Sequence, residues 1–99
     1  LPSVFKGLNI EGKMGDLKII RLWDNFLKDS LKPALSKKLQ EYTFVHRIDR
    51  ERDLVIGVRS AVMANELQFL KPMLEKKFFE LLEDYDLPHI RAILFELRT

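Results

Sequence analysis

Few side chains in this sequence could carry acid–base or nucleophilic chemistry. There are two histidines, His46 and His89, and no cysteine. The missing thiols exclude disulfides, Cys-ligated zinc, iron–sulfur clusters and thiol catalysis. Neither histidine stands in recognisable spacing to an acid and a nucleophile, so a hydrolase triad has no support. His46 falls within an alternating segment and reads as a half-buried structural side chain. His89 follows Pro88 and reads as a surface residue. Glu83, Asp84 and Asp86 are clustered acids without calcium-loop spacing, which fits a solvated helix end. Ser60 stands just before a helical pattern and reads as an N-cap before a nucleophile. No cofactor, metal or small-molecule substrate is expected, and the chain is read as a non-enzyme.

Gly12-Lys13-Met14-Gly15 is a literal G-x-x-G, the loop that clamps nucleic-acid backbone in KH domains. Here it precedes every expected strand, whereas the clamp should join two helices after one. It reads as a plain linker. Trp23 has Ile20 and Leu27 at helical spacing, which makes it a core residue rather than a base-stacking platform.

The remaining chemistry is charge. The chain has 99 residues with 17 Lys plus Arg against 15 Asp plus Glu, for a net charge of +2. Residues 1–40 carry eight basic and four acidic residues, residues 41–60 four of each, and residues 61–99 five basic and seven acidic. The excess is therefore +4 in the first segment and −2 in the last. A concentrated positive face attracts polyanions by steering and counterion release. A solvated helix face is the plainer account of the same charges. The hydrophobic content of 46% suits one folded domain, taken as residues 1–99. No apolar run approaches the ~18 residues of a membrane span. Leu1-Pro2-Ser3 has neither an initiator Met nor a signal-peptide stretch, and the chain reads as an excerpt of a longer product.

The elements that position these residues follow from period. Residues 1–10 suggest a short helical turn. Asp16 is the expected N-cap of a helix whose apolar positions are Leu17, Ile20, Trp23, Leu27 and Leu31, with Ile19, Leu22 and Phe26 beside them. Pro33 stops or restarts it, and 34–39 form another turn. Tyr42, Phe44, His46 and Ile48 then alternate with Thr43, Val45 and Arg47, giving a strand whose apolar face holds His46. Asp49-Arg50-Glu51-Arg52 fits a hairpin loop to a second strand at 54–59. Met63, Ala64, Leu67, Leu70, Leu74, Phe78, Leu81 and Leu82 trace a helix that Pro72 should kink or split. A third strand is expected at 91–98. The fold class is α+β, in the order α-α-β-β-α(α)-β, with a short antiparallel three-stranded sheet covered by helices on one face.

Ser60-Ala61-Val62-Met63-Ala64-Asn65-Glu66-Leu67-Gln68-Phe69-Leu70-Lys71-Pro72 resembles the signature of the DciA-like family, most specifically in Ala64-x-Glu66-Leu67-x-x-Leu70-Lys71. Trp23 matches the family's tryptophan in the first long helix. Leu8 to Lys13 is similar to its leading segment, and Ile93-Leu94-Phe95-Glu96-Leu97 to its closing strand. The family usually has tryptophan where this chain has Met63 and glycine near Lys28. Its segment corresponding to Leu31–Thr43 is usually shorter and poorer in lysine.

The resemblance implies a KH-like domain of a cytoplasmic bacterial protein that binds DNA and assists the replicative helicase DnaB in DNA replication, without a catalytic site. A KH domain of this order would keep its G-x-x-G at Lys71-Pro72, where there is no glycine, so a sequence-independent contact through a basic surface is expected instead. The candidates are Lys28, Lys32, Lys37 and Lys38, with Arg50, Arg52 and Lys71 in second place. Lys28 and Lys32 are four apart and would share a helix face. The partners expected are single- or double-stranded DNA and DnaB, with no membrane. The alternative is a protein–protein interaction module with no nucleic-acid contact.

Overall fold

The structure, a computed structural model, describes residues 14–98. The helical turn expected in residues 1–10, and Gly12 and Lys13 of the G-x-x-G, lie outside the described residues. Six elements follow one another: α1 (Met14–Asp29), α2 (Pro33–Tyr42), β1 (Thr43–Ile48), β2 (Asp53–Val58), α3 (Ala61–Asp84) and β3 (Ala92–Leu97).

The stripe Ile19, Ile20, Trp23, Phe26 and Leu27 is buried in α1, as the 3.6-residue period requires. This helix begins earlier than its pattern suggests. Met14 and Gly15 belong to its first turn rather than to a linker. A Cβ on Gly15 would come within 2.9 Å of the Pro88 ring, so glycine permits the close approach of the loop before β3. Asp16 is likewise inside the first turn and is not an N-cap. Its carboxylate accepts a hydrogen bond from Arg52 at 2.9 Å. Pro33 opens α2, where its missing N–H costs nothing. Ser60 caps α3, its hydroxyl accepting from the Met63 amide at 3.3 Å.

Helix α3 is continuous through Pro72 and does not split. Its buried stripe, Met63, Leu67, Leu74, Phe78 and Leu82, runs on both sides of the proline. Packing of both halves against one core keeps the helix whole. Pro72 and Gln68, whose carbonyl loses its helical donor, are both exposed, so water can serve that carbonyl.

The sheet has the order β1-β2-β3 and is mixed, not antiparallel. β1 and β2 form the expected antiparallel hairpin. β3 runs parallel to β2, with Leu54 opposite Ile93 and Ile56 opposite Phe95. The cause is the crossover. A helix of 24 residues, at ~1.5 Å per residue, more than retraces a six-residue strand, so β3 starts at the end of the sheet where β2 starts. β2 is central and buried along its whole length.

One core joins the helices to one face of the sheet. Trp23, Phe26 and Phe78 form its aromatic centre, with ring centroids 5.1–5.6 Å apart. Leu67, Leu74 and Ile56 are fully buried, while Leu70 and Phe95 are half-buried and pack at its margin.

The inward face of β1 differs from expectation. Val45 and Ile48, not Phe44 and His46, pack on the core. Val45 pairs with Ile56 and Arg47 with Val55, so a bulge at His46 shifts the alternation. Phe44, opposite Gly57, therefore lies on the far face of the sheet.

Arg91 ties the hairpin to the start of β3. Its Nε donates to buried Asp53 at 2.9 Å and a terminal nitrogen to Glu51 at 3.0 Å. The hydrogen bond from Arg91 is the main reason the Asp53 carboxyl titrates below the ordinary aspartate range. No helix among the described residues is long and apolar enough to cross a membrane.

Candidate nucleic-acid interface

Lys28 stands at the end of α1, Lys32 in the turn that follows, and Lys37 and Lys38 in α2. Helix α1 ends at Asp29 and Lys32 sits at the N-cap position of α2, so Lys28 and Lys32 do not share a helix. The turn instead sets Lys28 against α2. Lys28 and Lys37, with Leu31, Pro33, Gln40 and Glu41, line an open groove of about 630 Å³. All four lysines are exposed. Lys28 pairs with Asp24 one turn back at 3.0 Å. Lys38, next to Lys37 but not lining the groove, approaches Glu66 of α3 at 3.9 Å. Both pairs are about half exposed, where such contacts are worth little and exchange readily for a phosphate. Lys32 and Lys37 make no ion pair among the described residues.

The secondary candidates stand elsewhere. Arg50 is exposed at the hairpin turn. Arg52 is committed to internal contacts. It takes a left-handed backbone, φ 69°, and donates to Asp16 at 2.9 Å and to the His89 carbonyl at 3.4 Å. Its own carbonyl accepts from the Arg91 amide at 2.8 Å. It is a strut between hairpin, α1 and the loop before β3. Lys71 is half-buried in α3, close enough to Asp53 to favour its ionised form. Arg52 binds Asp16 at the start of α1, and Lys28 lies near the other end of that helix, about 18 Å away at ~1.5 Å per residue. The seven candidates therefore do not form one patch.

A second basic surface escaped the sequence reading. On the sheet face opposite the helices, alternation places Phe44, Gly57 and Glu96 in one row across the strands. Arg47 and Val55 share the next row. Arg59 and Arg98 follow at the ends of β2 and β3. Glu96 accepts from Arg98 at 3.1 Å and faces Arg47 at 3.8 Å. The Arg59 guanidinium lies 4.6 Å from the centre of the Phe44 ring. His46 stands edge-on to Phe44, with centroids 6.4 Å apart. Burial first, then Arg98 and Arg47, holds its imidazole below the usual histidine range, against the opposing pull of Glu96. The missed signal was Arg47, Arg59 and Arg98 themselves, which only strand pairing brings together.

The carboxylates of Asp49, Glu51 and Asp53 come within 4.8 Å of one another. Arg91 binds two of them, and the Asp49 carboxylate accepts the amides of Glu51 and Asp53, closing the hairpin turn. These acids are structural. The cluster Glu83, Asp84 and Asp86 is exposed.

Comparison with known proteins gives no family model, no curated protein and no solved structure that matches this chain. The resemblance to the DciA-like family rests on the residues quoted for it.

Proposed function

We propose that this chain is a non-catalytic, KH-like accessory domain of the DciA type that binds DNA and assists the replicative helicase DnaB in the bacterial cytoplasm. The observation that carries the reading is the α1–α2 junction, where Lys28 and Lys37 line one groove with Lys32 and Lys38 beside it. Flexible ammonium groups at such a junction suit phosphates, not base edges, so they favour binding that is independent of sequence. A sheet with helices packed on one face supports the KH-like assignment. Helix α3 runs unbroken through Lys71 and Pro72, so a backbone-clamping loop there is not part of the proposal.

The alternative, a protein-interaction module, is favoured by one feature of α3. Val62 and Phe69 are 76% and 80% exposed and, being seven apart, share a helix face. Calorimetric titration of the chain against the helicase, with DNA affinity measured in parallel, separates the two. The proposal expects both affinities. Helicase binding without DNA binding would leave the interaction module, and absence of DNA binding would overturn the proposal.

A further inference from the structure

We propose that the sheet face opposite the helices is a platform for single-stranded nucleic acid, with Arg47, Arg59 and Arg98 holding phosphates while Phe44 and His46 offer the surface on which bases stack. This surface is separate from the lysine groove, and the proposal does not depend on the helicase.

Charge is the first support. Arg47 of β1 and Arg59 and Arg98, just past the ends of β2 and β3, converge on this face, and Glu96 is the carboxylate among them. A guanidinium has five N–H donors, so one carboxylate shared by Arg47 and Arg98 leaves most of their donors free. Arg59 makes no ion pair among the described residues. Burial, and then the positive field of Arg98 and Arg47, hold His46 toward its neutral form.

Preorganisation is the second. Gly57 sits in the middle of the central strand, and the tip of the Phe44 ring lies across it. A Cβ at this position would come within 2.3 Å of that ring. The glycine thus lets an aromatic side chain lie low across the sheet. Arg59 rests on the ring at 4.6 Å, a cation–π contact that orders a guanidinium before any ligand arrives. Both planar groups are those on which unpaired bases stack in single-strand recognition.

Shape decides between single strand and duplex. Three strands at ~4.8 Å spacing make a strip about 10 Å wide and about 20 Å long. That is room for roughly two or three splayed bases, as on other aromatic-bearing sheets. In a duplex the base faces are stacked inside and cannot reach Phe44.

The test is fluorescence anisotropy of the full chain with a labelled oligothymidylate and with a duplex of equal length. Arg59→Ala combined with Arg98→Ala should lower oligothymidylate affinity at least about tenfold and duplex affinity by no more than about twofold. Phe44→Leu, which keeps an apolar side chain over Gly57, should lower single-strand affinity about fivefold or more by loss of stacking. Should that variant fail to fold, the arginine pair decides alone. Unchanged oligothymidylate affinity in the arginine variant would overturn the proposal. So would an equal loss on both forms, or no oligothymidylate binding by the unmodified chain. Lys37→Glu with Lys38→Glu separates the two sites. If it removes DNA binding while the sheet variants do nothing, the platform falls and the lysine interface stands. If it is silent while the sheet variants remove single-strand binding, the reverse holds.

Discussion

Trp23→Ala is expected to cost about 3–5 kcal/mol of folding stability, the usual range for truncating a buried large aromatic. Trp23 is 2% exposed and joins α1 to α3 through an edge-on contact with Phe78 at 5.1 Å, beside a tilted contact with Phe26 of its own helix at 5.4 Å. The two phenyl rings also touch each other, 5.6 Å between centroids, so neither can swing into the vacated space without breaking that pair. The cavity therefore persists, and its cost adds to the lost transfer energy of the indole. For a chain of this size the thermal midpoint should fall by about 12 °C or more. Phe69→Ala is the control. That ring is 80% exposed, and its loss should change stability by less than ~0.5 kcal/mol. A midpoint unchanged in Trp23→Ala would place the wrong face of α1 in the core.

Lys37→Glu combined with Lys38→Glu should weaken binding to any DNA by about tenfold or more, since two phosphate contacts become repulsive. The loss should not depend on sequence, because ammonium groups at the α1–α2 junction meet phosphates. The fold should survive. Both side chains are exposed, and the Lys38–Glu66 pair, at 3.9 Å and about half exposed, contributes little. An electrophoretic shift assay on the double variant, with circular dichroism as the folding check, reads both expectations. Unchanged affinity would remove these lysines from the interface and leave the exposed hairpin residue Arg50 and the sheet arginines as the basic surfaces to test.

Much of this architecture is legible in the sequence because period survives tertiary context. The Ile19–Leu27 stripe, the hairpin and the Met63–Leu82 stripe all appear where their apolar spacing indicates. What escapes is set by pairings between distant residues. The direction of β3 depends on the length of α3, not on any residue within 92–97. The bulge at His46 exchanges the faces of β1, and nothing in Phe44-Val45-His46-Arg47 signals it locally. Pro72 is a strong breaker in isolation, yet Leu67 and Leu74 are both held by the same core. Arg52 is a charged loop residue in the sequence, and only its partner Asp16, 36 positions away, makes it a strut. The candidate site shows the same division. The lysine excess before residue 40 is visible by counting, whereas Arg47, Arg59 and Arg98 become a surface only once three strands are paired.

The central claim, that this chain binds DNA through phosphate contacts, is tested most directly by titrating labelled single- and double-stranded DNA across a series of salt concentrations. The logarithm of the binding constant should fall linearly with the logarithm of salt. With Lys28, Lys32, Lys37 and Lys38 as the contacts, the slope on duplex should be roughly −3.6, at about −0.9 per phosphate neutralised. Removing one of these lysines should make it shallower by about 0.9. Absence of binding at low salt, or an affinity indifferent to salt, would contradict the account.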